Sequence, residues 1–282
     1  MQPDQEVINR WDRSAPFWEK HREVIGQMLA PITPALVEDA GVCVNQTVLD
    51  VGTGPGEPAL SIARLVGPEG RICGIDPSAE MVACARNESA RLGLKNVQFE
   101  IASADRLPFP ADTFDSVVSR LGAMFFPSPA DAVCEMLRVL KPGRRLALAV
   151  WHFAERNPFH WVLSEVMGRH VEPTLLDADA PDAFRFATPG KLLKFLEKAG
   201  VAAPSERLLQ FKIEASVPVD TFWALRREMS DQIRNKLAAL PPDQLAIVHR
   251  EALEALGKYE TGRGMSFPAE VIIVSGSKAY PA

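Results

Sequence analysis

The chain has 282 residues, 47% of them hydrophobic, enough for one large α/β domain with additions or for two modest domains. A formal net charge of −5 and a pI of about 5.6 leave no basic excess to neutralise a phosphate backbone, which argues against nucleic acid as a partner. The longest apolar stretches fall short of the ~18 residues of a membrane-spanning helix, and the polar start "MQPDQEVINRWDR" does not read as a signal peptide, so the expectation is a soluble, cytoplasmic monomer or homodimer.

In chain order, residues 14–40 read as helical pieces interrupted by Pro16, Pro31 and Pro34. From Thr47 the rhythm changes to short β-like runs, "TVLDV", "RICGID", "VQFEIA", "FDSVVS" and "RRLALAVW", separated by helical segments. That alternation predicts a parallel sheet with helices on both faces. In "SPADAVCEMLRVLKPG" Ser128 is a candidate cap, Pro129 suits the first turn, and Pro142-Gly143 is expected to end the helix. In "SAEMVACARNESARLGLKN" Gly93 suits the left-handed position after a helix, with Leu94 folding back.

Beyond Trp151, "ERNPFHWVLSEVMGRH" and "TPGKLLKFLEKAG" read as helices, and "RLLQFKIEAS" and "EVIIVSGSK" as strands. The roughly fifty residues between those last two are apolar at helical spacing and divided by Pro241-Pro242, so they read as inserted helices. Cys43, Cys73, Cys84 and Cys134 form no CxxC pair and are expected to be buried, reduced thiols.

The stretch "VLDVGTGPGEPAL" places Gly52, Gly54 and Gly56 between a strand and a helix, where backbone can approach a ligand closely. No GK[ST] follows, which argues against a triphosphate-binding loop. Asp76, at the end of the second strand, stands where an acid takes ribose hydroxyls, so a dinucleotide remains open. A pyrophosphate would meet repulsion from Asp50 and Glu57. S-adenosylmethionine carries an ammonium, a sulfonium and a carboxylate but no phosphate, and suits an acid-flanked glycine loop better.

Four ordered motifs, "VLDVGTGPGEPAL", "GIDPSAEMVACAR", "ASADRLPFPADTFDSVVS" and "EMLRVLKPGRRLALAVW", resemble class I S-adenosylmethionine-dependent methyltransferases, most of all the ubiquinone/menaquinone-biosynthesis C-methyltransferase branch. The resemblance covers residues 47–152 and departs at "KPGRR", where a second glycine is usual after Pro-Gly. It implies a Rossmann-like, doubly wound, mostly parallel seven-stranded sheet, with an N-terminal helical lid and helices inserted between the last two strands. It divides the chain into a cap (1–40), a cofactor-binding core (41–152) and a C-terminal part (153–282) with an acceptor-pocket insertion at about 217–268.

The resemblance also implies roles. Gly52, Gly54 and Gly56 would line the methionine and ribose, Asp50 would sit near the ammonium, and Asp76 would take the ribose diol. Met81 and Ala104 would border the adenine, Asp105 would accept from its amino group, and Ser119, Arg120 and Leu121 would border the methionine end. Trp11, Phe17 and Trp18 resemble an aromatic segment covering the cofactor, and Phe222, Trp223 and Leu225 lie where an acceptor pocket is built.

Methyl transfer from a sulfonium is an in-line displacement, and a base is needed only for a protonated nucleophile. His152, after the fifth strand, is the candidate base, with His160 behind it; "HFAERNPFH" is too loosely spaced for a metal site, and no metal is expected. The leading reading is an S-adenosylmethionine-dependent methyltransferase acting on a small, hydrophobic or planar organic acceptor. A silent S-adenosylmethionine-binding module and an NAD(P)-dependent oxidoreductase stay open beside it.

Overall fold

The computed structural model describes residues 3–171 and 179–281. Residues 1, 2, 172–178 and 282, which fall inside the cap and C-terminal divisions expected above, lie outside the described residues. Three helices lead in: α1 (Pro3–Lys20), α2 (Arg22–Leu29) and α3 (Ile32–Asp39). An alternating run follows: β1 (Thr47–Val51), α4 (Ala59–Val66), β2 (Arg71–Asp76), α5 (Ala79–Arg91), β3 (Val97–Ile101), β4 (Phe114–Arg120), α6 (Pro129–Val139) and β5 (Leu140–Trp151). The chain continues through α7 (Pro158–Gly168), α8 (Lys191–Lys198) and β6 (Ala202–Ala215) to the inserted α9 (Val219–Met229), α10 (Asp231–Ala238) and α11 (Pro242–Gly257), then closes with β7 (Glu260–Thr261) and β8 (Gly264–Ser277).

The sheet runs β3-β2-β1-β4-β5-β8-β6, seven strands as expected, with the two-residue β7 paired to β8 at one end. β1 to β5 are joined by parallel pairings, while β8 is antiparallel to both β5 and β6. The central strands read as nearly continuous apolar runs because helices cover both faces: Val48, Leu49, Val51, Ile75, Val117, Val118, Leu146 and Leu148 are all buried. The strand order reverses between β1 and β4, and a ligand crevice is expected beyond the carboxyl ends of those strands.

Local chemistry explains the boundaries. Ser78 caps α5, its hydroxyl accepting from the Met81 N–H at 3.1 Å. At the other end Leu94 N–H bonds Ser89 O and Gly93 N–H bonds Ala90 O, both at 3.1 Å, with Gly93 at φ +68°, which is a Schellman closure.

Three expectations fail. α1 runs through Pro16 without a break and α3 includes Pro34, so of the three prolines only Pro31 stands at a helix boundary. α6 ends at Val139 rather than at Pro142-Gly143, because Leu140 already pairs with Phe114 and sheet pairing takes over from the helix. Of the four free cysteines only Cys84 is buried; Cys73 is partly covered, and Cys43, in the loop before β1, and Cys134, off the buried stripe of α6, are exposed.

The N-terminal helices bridge core and insertion. Ala15 of α1 packs with Met81 and Cys84 of α5, flanked by Trp11 and Trp18. On its other side the same region meets the insertion, with Lys20 2.8 Å and His21 2.6 Å from the Glu228 carboxylate and Arg13 3.4 Å from Asp231.

Candidate active site

Two cavities meet between these elements. The first lies at the carboxyl ends of β1, β2 and β4, as the strand order predicts. Gly52, Thr53, Gly54 and Glu57 from the glycine loop form one side, Asp76 and Met81 another, and Ala104 with Ser103 a third. Arg120, Leu121 and Gly122 close the end beyond β4, and Trp11, Trp18, Arg22 and Ile25 roof the crevice from α1 and α2.

The roof is fastened to the loop it covers. The Arg22 guanidinium donates to Pro55 O at 2.7 Å and to Cys84 O at 3.1 Å, and the Ser78 hydroxyl donates to Asp12 Oδ1 at 2.6 Å. Hydrogen bonds to charged groups are the stronger kind, so α2 is held against the glycine loop by more than apolar contact.

Asp76 stands at the centre. Its Oδ2 accepts the Gly54 N–H and its Oδ1 the Ser78 N–H, both at 2.9 Å. Each oxygen keeps a second acceptor site. Burial pushes the carboxyl up to about 6, against the pull of those two N–H donors. Arg120 donates to Thr33 Oγ1 at 3.0 Å; burial draws its guanidinium below the usual range, opposed by the charges of Glu57 and Asp50.

Several expected residues stand behind the wall. Asp50 is fully buried, with Oδ2 accepting from the Thr53 hydroxyl at 2.7 Å and the Ala59 N–H at 3.2 Å. It braces the loop from below, and burial, only partly countered by Thr53 and Arg120, pushes it up to about 7. Gly56 also misses the crevice; its φ of +112° is a conformation that favours glycine, and a Cβ there would also crowd Leu60 and Ala85. Ser119 is buried beneath Gly122, and Asp105 is half-buried next to Ala104 without reaching the wall. Leu121 holds φ +60°, an unfavourable conformation for a branched side chain, with its N–H fixed to Ala149 O at 2.9 Å.

The second cavity adjoins the first, and Trp11, Trp18 and Phe125 line both. Its remaining walls come from α7 (His160, Ser164, Met167), residues 182–184, and the insertion (Arg226, Met229, Ile233). The Arg226 guanidinium carbon sits 3.9 Å over the Phe159 ring, and burial draws the group down to about 10. Burial, reinforced by the Arg226 charge, holds His160 well below its usual range, so its imidazole is neutral at pH 7.

His152 reaches neither cavity. It is buried at the end of β5, its Nδ1 2.9 Å from Glu270 Oε2, and its carbonyl accepts from the Asn157 amide at 3.2 Å. The imidazole on a cavity wall is His160. Phe222, Trp223 and Leu225 are likewise core residues on neither wall; Trp223 donates to His249 Nδ1 at 2.8 Å. Phe17 lies beneath Arg234, 4.9 Å from the guanidinium carbon to the ring centre. Arg22, Thr53 and Gly122 are wall residues that sequence reasoning did not single out. Thr53 lies inside the glycine motif, whereas nothing local marks Arg22.

A family model described as "Methyltransferase domain" matches residues 44–200, more than half of the chain. The chain belongs to the methyltransferase-domain family. Among curated relatives, the ubiquinone/menaquinone biosynthesis C-methyltransferase of Marinomonas sp. (strain MWYL1) is 38% identical over 153 residues, 53% of this chain and 61% of that protein. The chain thus spans less than two thirds of the length of the first curated relatives it matches.

Among solved structures, a putative methyltransferase from Bacillus halodurans superposes with a TM-score of 0.56 at 23% identity, covering 88% of this chain and 99% of that one. Phosphoethanolamine N-methyltransferase 2 of Haemonchus contortus, solved with S-adenosyl-L-methionine, superposes with a TM-score of 0.54 at 15% identity, covering 89% and 53%. At these identities the likeness shows the fold.

The methyltransferase crevice fits that cofactor on its own geometry. Asp76 offers two acceptor sites for a diol, a Cβ at Gly54 would project into open space, and cation and acid are both present at the far end in Arg120 and Glu57. Among the described residues no three His, Cys, Asp or Glu side chains cluster as metal ligands, and no helix is long and apolar enough to cross a membrane.

Proposed function

We propose that this chain transfers a methyl group from S-adenosylmethionine to a small organic acceptor held in the second cavity. The observation that carries this is the shared aromatic wall: Trp11, Trp18 and Phe125 face both the glycine-loop crevice and the chamber under the inserted helices. Two ligands placed in the two chambers would meet there.

In this reading Asp76 binds the ribose hydroxyls, and Met81 and Ala104 border the adenine, while Asp105, set back from the wall, supports the segment that carries Ala104. The backbone at Gly52 and Gly54 gives close approach, while Arg120 and Glu57 bracket the carboxylate and ammonium of the methionine end. Asp50, Gly56 and Ser119 act behind the wall by fixing loop and floor. When bound, the cofactor supplies an electrophilic methyl carried on a sulfonium. The protein's own contribution is alignment and dryness: Trp11, Trp18 and Phe125 exclude water where the two ligands meet, and the Arg22 fastening keeps the roof in place. His160, neutral on the acceptor side, is positioned to take a proton from an acceptor that arrives protonated.

Incubation with methyl-labelled S-adenosylmethionine and a library of small acceptors, read by mass spectrometry, tests the proposal. Formation of S-adenosylhomocysteine together with a product one methyl group heavier supports it. Tight S-adenosylmethionine binding without product from any acceptor would replace it with a silent binder.

A further inference from the structure

Six buried side-chain polar atoms have no hydrogen-bond partner among the described residues: Arg10 Nη2, Trp18 Nε1, Asp50 Oδ1, Ser119 Oγ, His160 Nε2 and Arg226 Nε. The residues bearing four of them, Arg10, Trp18, His160 and Arg226, line the second cavity. Buried polar groups are ordinarily satisfied, so a concentration of exceptions on one cavity points to a ligand. Arginine and the tryptophan indole have only donors to offer, which selects a ligand rich in acceptors.

Arg226 decides its charge. The residue is 6% exposed, and among the described residues its guanidinium lies against the Phe159 ring. The two acids on the same wall are occupied: Asp231 lies 3.0 Å from Arg234 and 3.4 Å from Arg13, and Asp182 Oδ1 accepts the Phe184 N–H at 3.0 Å. Among the described residues no carboxylate pairs with it, and an enclosed guanidinium in that state is costly unless something anionic arrives to share it.

We infer that the second cavity takes an acceptor bearing a carboxylate, anchored by the Arg226 guanidinium; this rests on the methyl-transfer reading in calling the ligand an acceptor. The planar fork of arginine matches a planar carboxylate through two parallel bonds. Arg10 and Lys236 also line the cavity but are only partly buried, so Arg226 is the buried cation on its wall, and a planar monoanion matches its fork. The body of the ligand is apolar and flat, matching Trp11, Trp18, Phe125 and Phe184. Arg226 lines only the second cavity whereas the aromatic wall faces both, so the carboxylate is held away from the crevice and the opposite end of the molecule faces the cofactor.

The test uses the full chain saturated with S-adenosylhomocysteine and titrated calorimetrically with paired probes: benzoate against benzamide, cinnamate against cinnamamide, and phenyl phosphate. The expected result is that at least one carboxylate binds ten or more times more tightly than its amide, and that Arg226→Met abolishes this preference while leaving S-adenosylhomocysteine affinity within twofold. Arg226→Met should also melt no lower than the wild type without ligand, because it removes an unpaired enclosed charge. Arg226→Lys, which keeps a cation but not the fork, should retain a reduced preference and gives the same comparison if the Met variant does not fold.

Equal binding of acids and amides, no binding of any carboxylate, tighter binding of phenyl phosphate, or a preference that survives in Arg226→Met would each overturn the inference. Loss of S-adenosylhomocysteine binding by the wild type would instead overturn the methyltransferase reading itself.

Discussion

Replacing Asp76 by alanine tests the cofactor site where its geometry is most explicit. The two oxygens accept the Gly54 and Ser78 N–H groups at 2.9 Å each and retain one acceptor site apiece for ribose hydroxyls. Charge-assisted hydrogen bonds contribute roughly 1.5–3 kcal/mol each, and the carboxylate, 8% exposed, is already largely dehydrated before ligand arrives. Allowing for imperfect geometry and a relaxed loop, the loss is about 2–3 kcal/mol, a Kd weakened roughly 30- to 150-fold.

The same residue predicts a pH limb. Burial pushes the free carboxyl up to about 6, and hydroxyl donors favour its ionised form. Below that value binding must expel a proton, so wild-type affinity falls on acidification through pH 6, by up to about tenfold per unit, and Asp76→Ala loses this limb. Isothermal titration with S-adenosylhomocysteine at pH 8 and pH 5.5 reads both effects. A folded Asp76→Ala protein whose Kd stays within threefold of wild type would refute the assignment.

Asp50→Asn should stabilise the ligand-free protein at pH 8. The folded carboxyl is pushed up to about 7 from an unfolded value near 3.9, so the unfolded state binds fewer protons between these values and stability falls as pH rises through them. The accumulated cost is on the order of 4 kcal/mol at most, and melting curves should show an advantage for Asn at pH 8 that vanishes by pH 4; equal curves at both would contradict it. Arg22→Ala removes the bonds to Pro55 O and Cys84 O, so hydrogen exchange in α1 and α2 should accelerate and S-adenosylhomocysteine affinity fall severalfold; unchanged exchange would show that the helices hold by apolar contact alone. Trp223→Phe should lower stability by about 1–3 kcal/mol while leaving acceptor KM unchanged, because Trp223 is core and lines neither cavity; a shifted KM in the folded variant would return it to the acceptor site.

The first five strands are legible in the sequence because they read as short apolar runs between helical segments, β1 and β4 being almost wholly buried and even the edge strand β3 keeping Val97 and Phe99 inward. Ser78 and Gly93 mark the ends of α5 by chemistry that is local to the chain. Less legible is whatever depends on distant segments. Pro142-Gly143 looks like a helix stop, but pairing of Leu140 with Phe114 ends α6 earlier. His152 follows the right strand yet turns toward Glu270 of β8, 118 residues away.

Arg226 is the instructive omission. It lies four residues after Phe222 and three before Met229, on the buried stripe of α9, so a charge stands in a core register that the sequence displays plainly. Its importance emerges only when α1, some two hundred residues earlier, closes the cavity it lines. The roof residue Arg22 is hidden for the same reason: its acceptors are carbonyls, which carry no sequence signal.

The most direct measurement of the central claim is a crystal structure with S-adenosylhomocysteine and a carboxylate probe bound together. The account predicts the ribose on Asp76, the adenine between Met81 and Ala104, and the sulfur directed at the wall formed by Trp11, Trp18 and Phe125. The probe should lie beside those rings with one end in contact with the cofactor's sulfur side and its carboxylate on Arg226. A nucleoside bound away from Asp76, or a second ligand that leaves the chamber beneath α9 and α10 unused, would contradict it.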